Sequence, residues 1–245
     1  MAQDILAPHR AKLLDVAVQD TLKWCGAPDV MVEHRQPDRF WLELFGGDPQ
    51  VEIGTQHAHL FLASFHLAHG PKWDEAGVAA FMTALREQAV FDPQVDAPKL
   101  AARLGGCSAP RSSPLSAASK LAFFAKPTVQ IFIWDPTVMK SARLRDRQRG
   151  THPQADGAKS LRDRIFGVAS YPELYASAER ALGDELKRPD FRSAADQLIA
   201  YFDGQDGIIA DRSRTPTHFI ERRLLDKLMF WEGWTLKNKR PPEQA

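Results

Sequence analysis

Leu14, Val18 and Leu22 recur at every fourth position of RAKLLDVAVQDTLKWC. That spacing returns to one side of a helix, so residues 10–25 are predicted helical. Between 30 and 56 the pattern loosens: VMVEHRQPDRFWLELF alternates in part, and Gly46, Gly47, Asp48 and Pro49 form a turn signal. A short hairpin is expected there. Asp74 is placed to cap a helix through WDEAGVAAFMTALREQ, and APKLAARL predicts a further short helix that Gly105 and Gly106 stop.

The second half repeats the helical period more clearly. RSSPLSAASKLAFFAKP opens on serines and a proline and closes at Pro127, which cannot continue a helix. TVQIFIWD then reads as an extended apolar link, and Pro136 suits the first turn of another helix. Beyond a Gly- and Pro-containing loop at 150–157, helical patterns recur at 158–168, 173–187, 191–203 and 217–236. In the last of these Ile220, Leu224, Leu228 and Trp231 share one face, which leaves Glu221, Arg222, Arg223, Asp226 and Lys227 on the others. The expected fold is mainly α, a multi-helix arrangement with at most a small N-terminal strand element. Residues 1–109 and 110–245 are expected to form two helical regions packed as one unit.

Composition narrows the class. A chain of 245 residues with 44% hydrophobic and 26% charged residues is ordinary for a globular protein. Cys25 and Cys107 are the only cysteines, too few for a disulfide framework or a four-cysteine metal site. No apolar run reaches the roughly 18 residues of a membrane span, and MAQDILAPHRAKLL has no signal-peptide core. A cytoplasmic protein is expected, with no membrane partner.

The formal net charge is only +1, but KSARLRDRQR sets Lys140, Arg143, Arg145, Arg147 and Arg149 against Asp146 alone. Such a basic run suits contacts to nucleic-acid phosphates, or simply forms a solvated helix face. Just upstream, Lys120 lies among Leu121, Phe123 and Phe124, and Asp135 ends the apolar link. Burial lowers the pKa of an amine, and a neutral amine is a nucleophile whose proton a nearby carboxylate can accept. The alternative is structural: Lys120 extends its ammonium to water, and Asp135 caps the helix that begins at Pro136.

The order of these features resembles the helix-hairpin-helix superfamily of DNA glycosylases, which includes endonuclease III and the oxoguanine glycosylases. Leu115 leads SAASK, LAFFA supplies an apolar helix, Pro127 follows, IFIW reaches Asp135, and Val138 stands three positions beyond. RRLLDKLMFWEGW is similar to the closing helix of divergent bacterial relatives. The resemblance implies that Lys120 attacks the sugar C1′ and forms a Schiff base, while Asp135 assists and stabilises the oxocarbenium-like sugar. It implies a substrate of double-stranded DNA with an altered base, flipped into a pocket for which Phe123, Phe124 and Trp134 are candidates. Strand cleavage can accompany base removal, in repair or in defence against phage with modified DNA. No metal or other cofactor is implied, and a monomer is expected. Ser116, Ala117, Ala118 and Ser119 stand where the family has hairpin glycines, so Ser116 and Ser119 become candidate phosphate contacts beside the basic run.

Two other readings stay open. Arg147 and His152 make the R-x-x-x-x-H spacing of the helical HEPN ribonucleases, and a non-catalytic nucleic-acid or protein-binding module needs neither pair. His57, His59, His66 and His69 cluster within QHAHLFLASFHLAHG but lack acidic partners at matching spacing. They are expected to be ordinary core or surface histidines.

Overall fold

A computed structural model describes residues 6–26, 36–65, 67, 73–107, 114–150 and 170–242. A single 3-10 turn, Ala7–His9, precedes ten α-helices among them: α1 Arg10–Gly26, α2 Asp38–Gly46, α3 Thr55–Ser64, α4 Glu75–Glu87, α5 Pro93–Gly105, α6 Pro114–Ala125, α7 Pro136–Arg149, α8 Ser170–Glu185, α9 Pro189–Asp203 and α10 Thr217–Asn238. The fold is mainly α, as the periodicity requires. Among the described residues no strand occurs and the expected hairpin is not found: α2 and the start of α3 lie within 36–56, while residues 30–35 of that expectation lie outside the described residues. FWLELF alternates locally, yet Trp41, Leu42, Leu44 and Phe45 are all buried on a helix packed at both ends of its apolar arc. A short apolar run fits either period until its neighbours are known. The helix expected at 158–168 lies outside the described residues.

Helix starts follow the sequence signals. The Asp74 side chain accepts from Gly77 N at 3.1 Å, and Asp92 accepts from Gln94 N at 3.0 Å. Asp135 caps α7 by accepting from Thr137 N at 2.7 Å, with Pro136 in the first turn. Each cap satisfies an amide that has no partner within its helix.

The core is one continuous cluster drawn from both halves of the chain, including Trp41, Phe61, Phe123, Phe124, Trp134, Phe191 and Phe219. At its centre runs α10, which packs against α1, α7, α8 and α9. Gly233 lets α7 come close, because a Cβ there would overlap the Thr137 carbonyl. Encirclement also explains why the charged faces expected outside are inside. Arg222 and Arg223 are 1% and 3% exposed, and Glu221 and Glu232 are buried too.

Arg222 performs a definite structural task. Residues 126–135 cross the core without a strand partner, so their buried carbonyls must be satisfied by side chains. The Arg222 guanidinium donates to the carbonyls of Pro127 at 2.6 Å, Ile131 at 3.2 Å and Val129. The Tyr171 hydroxyl donates to the Phe132 carbonyl at 3.1 Å. Burial drops the Arg222 pKa to about 9, with Tyr175, Tyr171 and Glu221 opposing. No helix among the described residues is long and apolar enough to cross a membrane.

Candidate active site

Lys120 lies in α6 and Asp135 ends the link that leads into α7, and both line a single cavity of about 260 Å³. Their juxtaposition has a local cause. Ser119 Oγ accepts from the Trp134 amide at 2.9 Å, joining helix and link at the residues immediately before Lys120 and Asp135. Ser119 and Trp134 are fully buried, so this fastening is not exchanged with solvent.

Lys120 Nζ donates to Ser116 Oγ one helical turn earlier, at 2.7 Å, and lies 5.7 Å from the centre of the Phe65 ring. The side chain is partly exposed because the cavity admits solvent, yet protein packs densely around it. Loss of hydration on burial lowers its pKa, with Asp135 and Asp226 opposing that shift and Arg223 adding to it. The amine is neither paired with a carboxylate nor extended into open water.

The opposite wall comes from α1 and α10. Asp20 and Trp24 meet Arg223, Asp226, Lys227 and Phe230, with Phe65 completing the aromatic lining. Arg223 is fully committed: it grips both oxygens of Asp38 in α2, at 2.6 and 2.9 Å, and reaches Asp226 at 2.8 Å. Cys25 Sγ donates to the same Asp38 at 3.2 Å, and burial pushes that thiol well up, so it is an inert neutral group. Burial also raises the Asp226 carboxyl, with Arg223 and Lys227 opposing. Asp20 accepts from Trp231 Nε1 at 2.9 Å. Lys227 Nζ sits 4.7 Å from the centre of the Trp24 ring. Its pKa falls to about 8, through burial first and the neighbouring Arg223 charge second.

Several expected roles change place. Phe123, Phe124 and Trp134 are 0% exposed and pack in the core, so they do not line the cavity; Trp24, Phe65 and Phe230 do. Those three come from separate helices or loops, and no spacing connects them. Ser116 and Ser119 are buried within α6, turned toward Lys120 and the Trp134 amide, and they present no phosphate-binding hairpin to solvent.

The basic run also divides. Arg145 is held by Glu232 at 2.5 Å and Glu185 at 2.8 Å. Burial alone would lower its pKa, but the two carboxylates raise it above the ordinary arginine value. Arg143 pairs with Glu173 at 3.1 Å, and Arg149 with Asp184 at 2.7 Å. Of the run's cations only Lys140 and Arg147 are exposed. Arg143, Arg145 and Arg149 therefore knit α7 to α8 and α10 instead of forming a bare cationic face, a role the sequence conceals because Glu173, Asp184, Glu185 and Glu232 lie at least 30 residues away.

Gly150 ends α7 in a left-handed turn with φ 71°, three residues past Arg147. Arg147 and His152 are thus not carried on one continuous helix, and His152 itself lies outside the described residues. His57 Nδ1 accepts from the Gly54 amide at 3.1 Å, and His59 pairs with Glu75 at 2.8 Å. His66 and His69 lie outside the described residues. Among the described residues no group of three or more His, Cys, Asp or Glu side chains is placed to hold a metal ion. No family model, curated protein or solved structure matches this chain.

Proposed function

We propose that this chain excises an altered base from double-stranded DNA by cleaving its N-glycosidic bond, with Lys120 as nucleophile and Asp135 as its carboxylate partner. The observation that carries the reading is the convergence of Lys120 and Asp135 on one aromatic-lined cavity. A lysine partly stripped of water offers more of the neutral amine, and the nearby carboxylate can take up its proton and stabilise positive charge on the sugar.

The base must leave the helical stack to be reached, at a cost of a few kcal/mol that aromatic stacking offsets. Trp24, Phe65 and Phe230 supply that lining. Attack of Lys120 Nζ on C1′ expels the base, and opening of the sugar ring gives a Schiff base to Lys120. Elimination of the 3′ phosphate from that adduct would nick the strand, and water would otherwise release the enzyme.

Borohydride reduces such an adduct to a stable amine. With duplex DNA carrying an abasic site, native protein is expected to become covalently linked to the strand, and Lys120→Ala is not. Trapping that survives in Lys120→Ala would overturn the assigned nucleophile. Tight duplex binding with no trapping and no excision would favour a binding module instead.

A further inference from the structure

We propose that Lys227 is the acid that protonates the departing base. The inference rests on the glycosylase reading and addresses a step that Lys120 and Asp135 leave unfilled. When Lys120 Nζ forms its bond to C1′, the electron pair of the C1′–N bond goes to the base. A base expelled as an anion is a poor leaving group, and a positioned acid that delivers a proton in the same step lowers the barrier. Lys120 must be neutral to attack and Asp135 must be a carboxylate to receive the proton Lys120 releases, so neither can supply it.

The other ionisable groups around the cavity can be taken in turn. Arg223 spends its donors on Asp38 and Asp226, and a guanidinium does not surrender protons near neutral pH. Asp226 accepts from Arg223, and Asp20 accepts from Trp231 Nε1, which holds each as an acceptor. Lys227 differs from all of them. Its ammonium makes no hydrogen bond or ion pair among the described residues and rests over the Trp24 face, 4.7 Å from the ring centre. A base stacked on that lining arrives beside a free N–H donor.

The proton balance closes within the cavity. Lys227 gives its proton to a ring nitrogen or conjugated oxygen of the leaving base, Lys120 passes its surplus proton to Asp135, and water restores Lys227. The groups that set the field at Lys227 are Arg223 and Asp226 of its own helix, Asp20 of α1 and Asp38 of α2, and Lys120 and Asp135 line the same cavity. Burial and Arg223 bring its pKa to about 8, so it is protonated at neutral pH yet yields its proton more readily than an ordinary lysine.

The test separates base departure from attack on the sugar. Duplexes carrying 8-oxoguanine, 5-hydroxyuracil, hypoxanthine or 5-hydroxymethylcytosine are assayed for single-turnover excision, alongside borohydride trapping on an abasic duplex, where no base has to leave. On whichever base native protein removes, Lys227→Met is expected to slow excision at least about 100-fold, while abasic-site trapping persists. Lys227→Arg, which keeps the charge but holds its proton too tightly, is expected to be slow as well. The alkaline fall of the native excision rate near pH 8 should vanish in Lys227→Met.

Native-rate excision by Lys227→Met, or rescue by Lys227→Arg, would overturn the acid role. So would loss of abasic trapping in Lys227→Met with no fall in melting temperature, which would make Lys227 a nucleophile or a DNA contact. Native protein that traps abasic DNA but excises none of the four bases is a lyase with no base to protonate, and that outcome also overturns the acid role. Native protein that neither traps nor excises overturns the glycosylase reading itself.

Discussion

The two ends of α7 treat charge in opposite ways. At its C-terminal end Arg143, Arg145 and Arg149 are each matched by carboxylates from α8 or α10, and Arg10 joins the same network through Glu185 at 2.6 Å and Asp190 at 2.7 Å. At its N-terminal end Asp135 faces Lys120 and Lys227 across a cavity, and neither amine forms an ion pair among the described residues. The arginine cluster is compensated and therefore inert. The lysine cluster is left partly uncompensated, and burial lowers the proton affinity of both amines. Arginine suits the first task because its planar fork grips two carboxylates at once, and lysine the second because its amine can lose a proton.

The comparison breaks most sharply at Asp135. Asparagine caps a helix about as well as aspartate, so Asp135→Asn should keep stability within about 1 kcal/mol. If the carboxylate is chemical as well as structural, excision should nevertheless fall roughly 10²- to 10⁴-fold. Single-turnover rates and a denaturant melt of the same variant decide it. Unchanged excision would leave Asp135 as a cap alone.

Arg145→Ala should act in the reverse manner. It removes the only arginine that grips Glu232 among the described residues and leaves Glu185 to Arg10, and removing one partner of a buried pair costs about 3–5 kcal/mol. Urea denaturation should register that loss. The protein that remains folded below the transition should trap abasic DNA as native protein does.

Lys227 makes the comparison titratable. Its folded pKa, about 8, is below the ordinary lysine value of 10.5, so folded protein binds fewer protons than unfolded chain between those two pH values. Stability from this residue therefore rises as pH increases from 8 toward 10.5, and the burial penalty is fully present below pH 8. Lys227→Met is expected to be more stable than native protein at pH 7 by on the order of 2 kcal/mol, a gap that closes by pH 10.5. Paired urea titrations at pH 7 and pH 10 measure it.

The smallest effect belongs to Lys140 and Arg147. Being exposed, they should change stability by less than about 0.5 kcal/mol when replaced by alanine. If α7 lies against DNA, each replacement should reduce the salt dependence of duplex binding by about one unit of slope. An unaltered slope would place the DNA on another face.

Much of the helical order was legible along the chain. Asp74, Pro127 and Pro136 mark helix ends where backbone geometry and capping leave few choices, and the period of α10 is clear from Ile220, Leu224 and Leu228. Lys120 and Asp135 stood out because a charge amid apolar residues is costly unless it has a task. The FWLELF segment was not legible, since a run that short satisfies both periods. The buried face of α10 was hidden for a different reason: Arg222 and Arg223 look solvent-facing until Pro127, Val129, Ile131 and Asp38 are brought to them.

Local chemistry thus determined where α4, α6 and α7 begin or end, that an extended link joins α6 to α7, and that Lys120 and Asp135 need explaining. Tertiary structure alone decided which charges are neutralised by ion pairs and which are not. Trp24, Phe65, Lys120, Asp135, Lys227 and Phe230 come from separate parts of the chain and meet only when α10 closes against α1 and α7. Hydration, which sets proton affinity, is a property of that closure and not of any one segment.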